Sequence, residues 1–524
     1  MVPLSLFANK ALSSLADKVT SSGVCVTLLF LLFGLFALPL LALYAAYRPW
    51  YVSDTIPGPP RLPVFGILLH PLKHWKQWPM ECLRLSSKFN HATWGGPSFK
   101  YGALFYTDDP ANVKHVLKDN FQNYEKGDLW RKIFRELLGN GIFAADDVVW
   151  ESHRKISSRF FSRNLLKHSC QVFTRNCRIL VEQLEQAASE SQAIDLQDLF
   201  LRLTLDNAAE TTFGLQMHCL RSGKQPLFAS AFDEIQVLCL ARIVDPLFEI
   251  KRFFQLSHGE RRIRHLKSVL DLFCKGVIQE KRQAISREDN AGPEDLIGLF
   301  LKYSKHSKEN LADEELRDVI LNFMVAGRDT TAAGLSWTFY ELTKRPDIVD
   351  KVVAEINEIC GPIGSADYSF DTLSKLTYTH CVALEGLRLH PPVPTDSKFA
   401  IHNDTWPDGT HIPAGSMVTY LVISMGRSES IWGPDAAEFK PERFLNIKEP
   451  SPFRFSAFNA GPRMCLGKPL ALMTMKLVMA HLLPRFQFTD ALGHSGELEW
   501  FLVQKMKDGF MVDVGERKLP TDIL

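Results

Sequence analysis

Phe458-Asn459-Ala460-Gly461-Pro462-Arg463-Met464-Cys465-Leu466-Gly467 lies about sixty residues from the C-terminus and leads into an apolar helical pattern that begins near Lys468 and Pro469. Gly461 and Pro462 make a tight, stiff turn, and Gly467 lets backbone amides approach the Cys465 sulfur with no side chain between them. Amide hydrogen bonds and the positive end of the following helix favour the thiolate over the thiol. Such a thiolate is a competent axial ligand for a heme iron, onto which it pushes electron density. Arg463 is placed to neutralise a heme carboxylate, and Phe458 to pack beneath the macrocycle beside the sulfur. A plain structural thiol in a glycine-rich loop has the same local sequence, so the choice falls to the rest of the chain.

Three upstream segments bear on it. Ala326-Gly327-Arg328-Asp329-Thr330-Thr331 falls inside a helical pattern spanning about 313–344, with Ile320, Phe323, Met324 and Ala326 at helical spacing. Glycine and paired threonines are poor helix formers. A local opening of the backbone at Ala326 and Gly327 would admit O2 and water, with an acid and an alcohol adjacent to pass protons; the competing reading is threonines back-bonded to the preceding turn. Glu385 and Arg388, three apart, share a helix face, and Pro391 and Pro392 end that helix. Gly386 between them weakens the helix by about 1 kcal/mol relative to alanine. Trp150 and Arg154, four apart, also share a face and can both donate to a carboxylate, although an ordinary amphipathic helix reads the same way.

Taken in order, these segments resemble the cytochrome P450 monooxygenases, whose heme-binding signature the Cys465 loop fills at every motif position. The resemblance implies a mainly α domain with small β-sheets, the cytochrome P450 fold. It implies heme (iron protoporphyrin IX) with Cys465 on the iron and Phe458, Gly461, Arg463, Gly467, Trp150 and Arg154 around it. Arg443, in Pro441-Glu442-Arg443-Phe444, would join Glu385 and Arg388 in a buried structural clamp, which must be fully hydrogen-bonded or it costs stability. Thr330 and Asp329 would relay protons for O2 activation, a task that a non-catalytic heme-thiolate sensor does not have.

A closer resemblance runs through residues 139–143, 202–207, 327–331, 407–410 and the cysteine loop. These are similar to the plant and fungal branch that hydroxylates long-chain fatty acids at or near the terminal carbon. Lys398 stands where many family members place an arginine on a heme propionate. Substrate walls are expected from 130–142, from the long helix near Phe323, from 394–397 and from the turn at 506–510. Apolar walls of this kind also suit a sterol or terpenoid.

Composition sets the frame. The chain has 524 residues and a formal charge of +1, which implies no broad electrostatic partner such as nucleic acid. Ten cysteines without CxxC spacing fit a reducing compartment, with Cys170 and Cys177 as core neighbours. No GxGxxG motif follows a strand and there is no room for a flavin domain, so a separate electron donor is expected, which the resemblance implies to be NADPH-cytochrome P450 reductase or another carrier. Arg154, Lys155, Arg159 and Lys468 are candidates for docking an acidic partner, or else a solvated basic face.

Residues 28–43 are almost wholly apolar and 23–47 carry no charge, long enough to span a bilayer. The expected organisation is an N-terminal segment (1–22), a transmembrane anchor (23–47), a proline-rich linker (48–63) and the catalytic domain (64–524). Tyr44, Tyr47, Trp50 and Tyr51 would mark the membrane interface. The resemblance adds a single-pass location in the endoplasmic reticulum membrane with a cytosolic catalytic domain. Helices are expected up to about 391, then short strands including 417–423, a helix over 464–483 and a late hairpin within 498–514.

Overall fold

The computed structural model describes residues 34, 55–62, 66–98, 102–286, 295–307, 311–447, 449–499 and 502–517. The expected N-terminal segment, the anchor with its aromatic edge apart from Gly34, and the first part of the linker lie outside these residues. Among the described residues no helix is long and apolar enough to cross a membrane.

Two short helices, α1 (Leu69–His74) and α2 (Trp78–Lys88), precede the strands β1 (Trp94–Ser98) and β2 (Gly102–Thr107). After β3 (Tyr124–Glu125) come α3 (Gly127–Leu138), α4 (Asp147–Phe160) and the long α5 (Arg163–Glu190). Then β4 (Ile194–Asp195) leads into α6 (Leu196–Phe213), followed by α7 (Leu227–Ala241), α8 (His258–Ser286) and α9 (Leu296–Ser307). Next, α10 (Asp313–Met324) passes through a π-helical turn at Val325–Asp329 into α11 (Thr330–Thr343). Beyond α12 (Pro346–Cys360) and α13 (Tyr378–Leu389) the chain turns to short strands: β5 (Asp396–Ala400), β6 (Asp404–Thr405), β7 (His411–Ile412) and β8 (Met417–Tyr420). The C-terminal part is α14 (Lys468–Leu482), β9 (Phe486–Asp490), β10 (Leu498–Glu499), β11 (Lys505–Met506) and β12 (Met511–Glu516).

The largest sheet has the order β1-β2-β8-β5-β3, with β2 and β8 parallel and the other neighbours antiparallel. The late hairpin is only β10 with β11; β12 instead pairs with β9 and β4 in a second sheet. The 417–423 run is a strand only as far as Tyr420, where Leu421 leaves the extended path and a helical turn begins at Val422. The early strands β1 and β2 depart from the expectation of helices alone before residue 391. Strand β1, Trp-Gly-Gly-Pro-Ser, has poor intrinsic β propensity and is held by its pairing with the apolar β2.

Helices α11 and α14 are buried on nearly every face, as their nearly continuous apolar sequences require. They pack with α5, α6 and α13 in one large core that includes both Cys170 and Cys177. A second core gathers α3, α7, α8 and α10. The nine cysteines among the described residues are all free thiols.

The expected clamp is present and buried. Arg388 donates Nε to Glu385 Oε2 at 2.6 Å and Nη2 to Oε1 at 2.8 Å, while Arg443 donates Nε to Oε1 at 2.9 Å. The remaining guanidinium protons go mostly to backbone, Arg388 to the carbonyls of Gly426, Ala436 and Glu438 and Arg443 to that of Asp435, while Arg443 Nη1 also donates to Asp435 Oδ1 at 3.2 Å. Every charge therefore has partners, the condition under which a buried ion triad is tolerated.

Gly386 has a reason beyond helix propensity. A Cβ there would lie 2.1 Å from Thr338 Oγ1, so α13 crosses α11 too closely for any side chain. Gly386→Ala is expected to destabilise the heme-loaded protein by about 1–3 kcal/mol through overpacking. Thr338→Ala in the same chain should recover part of that loss, a coupling that thermal denaturation of the two single variants and the double variant measures.

Candidate functional site

A cavity of about 410 Å³ lies between α4, the α10–α11 junction, the β5 strand and the cysteine loop. Cys465 is exposed, and the space it faces is the floor of this cavity. Its loop is held from several sides. Cys465 N donates to Phe458 O at 2.8 Å, and Phe458 itself lines the floor. Gly461 has φ +62°, and a Cβ on it would lie 1.9 Å from the Leu117 carbonyl oxygen, so both conformation and close approach demand glycine. Gly467 differs: an added Cβ would sit 3.8 Å from Cys465 Sγ, an ordinary contact, so the sulfur alone does not require glycine there.

Helix α14 begins just past the sulfur. Burial pushes the Cys465 thiol above its ordinary pKa, opposed by hydrogen bonds from the Gly467 and Lys468 amides and by the nearby Arg154 charge. The amides and helix terminus expected from sequence are thus in place, but for the free thiol they do not outweigh desolvation. A metal cation on the sulfur would supply the missing charge, since a coordinating thiol is deprotonated outright.

The basic groups gather along one edge of the cavity. Trp150 and Arg154, both on α4, line it together with Arg463. Arg463 donates Nη2 to Asp146 Oδ1 at 2.6 Å and to Ala145 O at 3.0 Å, and its guanidinium lies 4.5 Å from the Trp150 ring centroid. Its Nε is buried with no hydrogen-bond partner among the described residues. Arg154 turns partly to the loop, donating Nη2 to Met464 O at 2.7 Å.

Lys398 stands slightly apart from its expected place. Asp396, Ser397 and Phe399 of β5 line the cavity, whereas Lys398 does not and is fully buried behind them. Its Nζ likewise has no hydrogen-bond partner among the described residues. Burial drives its pKa well below the ordinary lysine value and Lys126 adds to this, with Asp396 opposing. Burial alone would raise Asp396, yet Lys126 and Lys398 hold it well below the usual carboxylate range.

Lys126, Asp146 and Asp396 escaped the sequence reading. Lys126 lines the cavity, pairs with Asp396 and lies 5.1 Å from the Trp130 ring centroid. Asp146 accepts from the Lys126 and Gly127 amides at 2.9 and 3.1 Å and pairs with Arg131 and Arg463. No motif signals them, although Asp146 immediately before α4 was a legible helix-start position.

The helix junction also lines the cavity. The backbone opening expected at Ala326 and Gly327 takes the form of the π-helical turn Val325–Asp329, and both residues line the cavity with Thr330. Thr330 Oγ1 donates to Ala326 O at 2.6 Å, so the hydroxyl back-bonds across the turn while facing the open space. Asp329 departs from expectation by pointing behind the wall. Its Oδ2 accepts from Gln236 Nε2 at 3.0 Å, and Arg328 Nη1 lies 3.1 Å from Oδ1, out of hydrogen-bonding alignment. Arg328 in turn pairs with Asp233 at 2.7 Å.

The apolar walls come from Ile133, Leu138 and Ile142, from Phe323, and from Leu240 and Ile243 beyond α7. Residues 395–397 contribute as expected. The 506–510 turn does not; Leu502 and Val503 take that position, because Met506 and Phe510 are drawn into the core behind them.

The residues present fit a heme. A sulfur donor lies at the floor, and Arg463 Nε, a buried donor with no partner among the described residues, belongs with Lys126 and Arg154 to a cationic edge suited to a ligand carrying carboxylates. Glu385, Arg388 and Arg443 remain outside this site, as structural residues.

Residues 56–503 match the family model described as Cytochrome P450. The chain is 34% identical over 505 residues to "Cytochrome P450 704B1" of Arabidopsis thaliana, covering 88% of this chain and 95% of that protein. It is 36% identical to "Cytochrome P450 86B1" of the same plant, covering 81% and 79% of the two chains, and 33% identical to "Cytochrome P450 94A2" of Vicia sativa, covering 89% and 92%. The crystal structure of the cytochrome P450DA heme domain shares the fold, with TM-score 0.77 and 23% identity over 88% of this chain and 98% of that one. With the cysteine floor, the π-helical turn and the buried clamp all present, the chain belongs to the cytochrome P450 family and is a heme-thiolate monooxygenase.

Proposed function

We propose that the protein hydroxylates long-chain fatty acids at or near the terminal carbon, with Cys465 as the axial ligand of the heme iron. Heme, when bound, supplies the reductive activation of O2 that places one oxygen atom in an unactivated C–H bond. The chain's own residues bind, orient and manage protons around it. The Cys465 sulfur, backed by the Gly467 and Lys468 amides, holds the iron, and Phe458 packs at the floor. Arg463 offers its unsatisfied donor to the heme carboxylates, with Trp150, Arg154 and Lys126 along the same edge and Lys398 behind the wall. Thr330 holds a proton at the cavity wall, and Asp329, set by Gln236 and Arg328, stands behind it as the reserve.

The distribution of charge along the cavity carries the substrate reading. Lys126, Arg154 and Arg463 cluster where heme carboxylates would use them, whereas the wall past Phe323, Leu240 and Ile243 to Pro71 and Trp78 is apolar. A fatty acid carboxylate gains no cation by going deep and would lose its hydration there. The chain therefore enters methyl end first, and the terminal carbon lies nearest the thiolate.

Electrons come from an acidic donor, NADPH-cytochrome P450 reductase, docking on the basic face that includes the exposed Lys155 and Arg159, one helical turn apart on α4. The apolar run at 28–43 supports anchoring in the endoplasmic reticulum membrane with the catalytic domain cytosolic.

The purified protein, supplied with reductase and NADPH and given fatty acids of graded chain length, should yield terminally hydroxylated products, with the position read by mass spectrometry. Turnover of a sterol or terpenoid but of no fatty acid would overturn the substrate assignment. Cys465→Ala should abolish the red-shifted Soret band of the reduced carbon-monoxide complex. Thr330→Ala should keep that band while product formed per NADPH consumed falls by about tenfold or more, the scale of a lost proton-transfer group. Unchanged coupling would remove Thr330 from the relay.

A further inference from the structure

We propose that His70, His74 and Glu81 form a zinc-binding site at the rim of the cavity. Each offers one ligand atom, and the three atoms lie within 4.8 Å of one another. His70 and His74, one helical turn apart on α1, have ring centroids 4.9 Å apart. Glu81 comes from the first turn of α2, and its Oε1 lies 2.7 Å from His70 Nε2.

Two imidazoles and a carboxylate are the donor set of open zinc sites, in which water takes the fourth position. Nitrogen donors of this kind favour zinc over magnesium or calcium. Ligand atoms around tetrahedral zinc sit roughly 3.3 Å apart, given metal–ligand bonds of about 2.0–2.1 Å. Both histidines are half-buried on a helix of six residues, so ring rotation and a small shift of α1 close the difference.

Arg84 is the competing partner. It donates Nε to Glu81 Oε2 at 2.7 Å and Nη2 to Oε1 at 2.6 Å, from a side chain that is 57% exposed. Zinc takes Oε1 from Nη2 and leaves Nε on Oε2. The ligating carboxylate then keeps an outer hydrogen bond, as ligating carboxylates commonly do.

The location gives the site a consequence. Pro71, between the two histidines, and Trp78, three residues before Glu81, both line the cavity. The His70 ring also meets Trp78 edge-on, with centroids 6.2 Å apart. Zinc therefore ties α1 to α2 through residues that bracket two wall positions, and it stiffens the rim.

The full-length, heme-loaded protein without a histidine tag, freed of adventitious metal with chelator and titrated with zinc chloride by calorimetry, should bind a single zinc. His74→Ala removes one ligand without touching the Glu81–Arg84 pair and should weaken zinc by about tenfold or more, with the carbon-monoxide Soret band unchanged. Glu81→Gln should weaken it similarly, and His265→Ala, far along α8, should leave it alone. Amide hydrogen exchange over 66–88 should slow on zinc addition in the parent protein and not in His74→Ala. Equal zinc uptake by the parent and His74→Ala, or none by the parent, overturns the assignment and leaves an Arg84-centred ion-pair network.

Discussion

The buried Glu385 carboxylate and its two arginines carry more of this structure than their distance from the reacting site suggests. Between β8 and α14 the chain runs for more than forty residues with only short helical turns, and it must deliver Cys465 to a fixed point. Irregular backbone in a protein interior needs partners for its carbonyls. Arg388 and Arg443 supply them at Gly426, Ala436, Glu438 and Asp435, while Glu385 Oε1 accepts from the Lys440 amide at 2.6 Å. The ion triad is thus the frame on which the cysteine-bearing stretch hangs. Two guanidiniums satisfy several carbonyls at once, which no apolar replacement of equal volume could do. That is a reason for a charge cluster whose net contribution to stability is ordinarily small.

A second constraint is electrostatic. The cavity edge brings Lys126, Lys398, Arg154 and Arg463 together against Asp146 and Asp396. Burial lowers Lys398 and Arg463 from their ordinary values, and Cys465 is raised by the same cause. Each shift marks a charge the protein alone does not fully compensate. A heme would answer both halves, its iron supplying charge at the sulfur and its carboxylates meeting the cationic edge.

Sequence made the parts with local signatures legible. The Cys465 loop, the Glu385–Arg388 pair and the glycine and threonines of the long helix are each encoded within a few residues, so spacing alone proposes their geometry. Lys126, Asp396 and Asp146 were not legible because their meaning is relational. Lys126 becomes part of the site only when β3 pairs with β5 and sets it against Asp396. The same holds for Gly386, where propensity spoke of weakening and the crossing with α11 explains the choice. The late hairpin misled because an alternating run can join either of two sheets. Strand β12 pairs with β9 over five residue pairs, while β10 and β11 share two.

The resting groups beside the helix junction are only partly satisfied, since Asp329 Oδ1 has no hydrogen-bond partner among the described residues. Thr330 Oγ1 spends its proton on Ala326 O, and Asp329 accepts from Gln236 while it neighbours Arg328. For the hydroxyl to donate into the cavity it must give up a hydrogen bond worth about 1 kcal/mol, which a partner on the cavity side repays. Gln236 sits on α7, and that helix also sends Leu240 into the cavity wall four residues later. Packing of an alkyl chain against Leu240 and the hydrogen bond that fixes Asp329 therefore bear on one rigid element. Apolar contact at the wall and the setting of the acid behind it are mechanically linked through a single turn of helix.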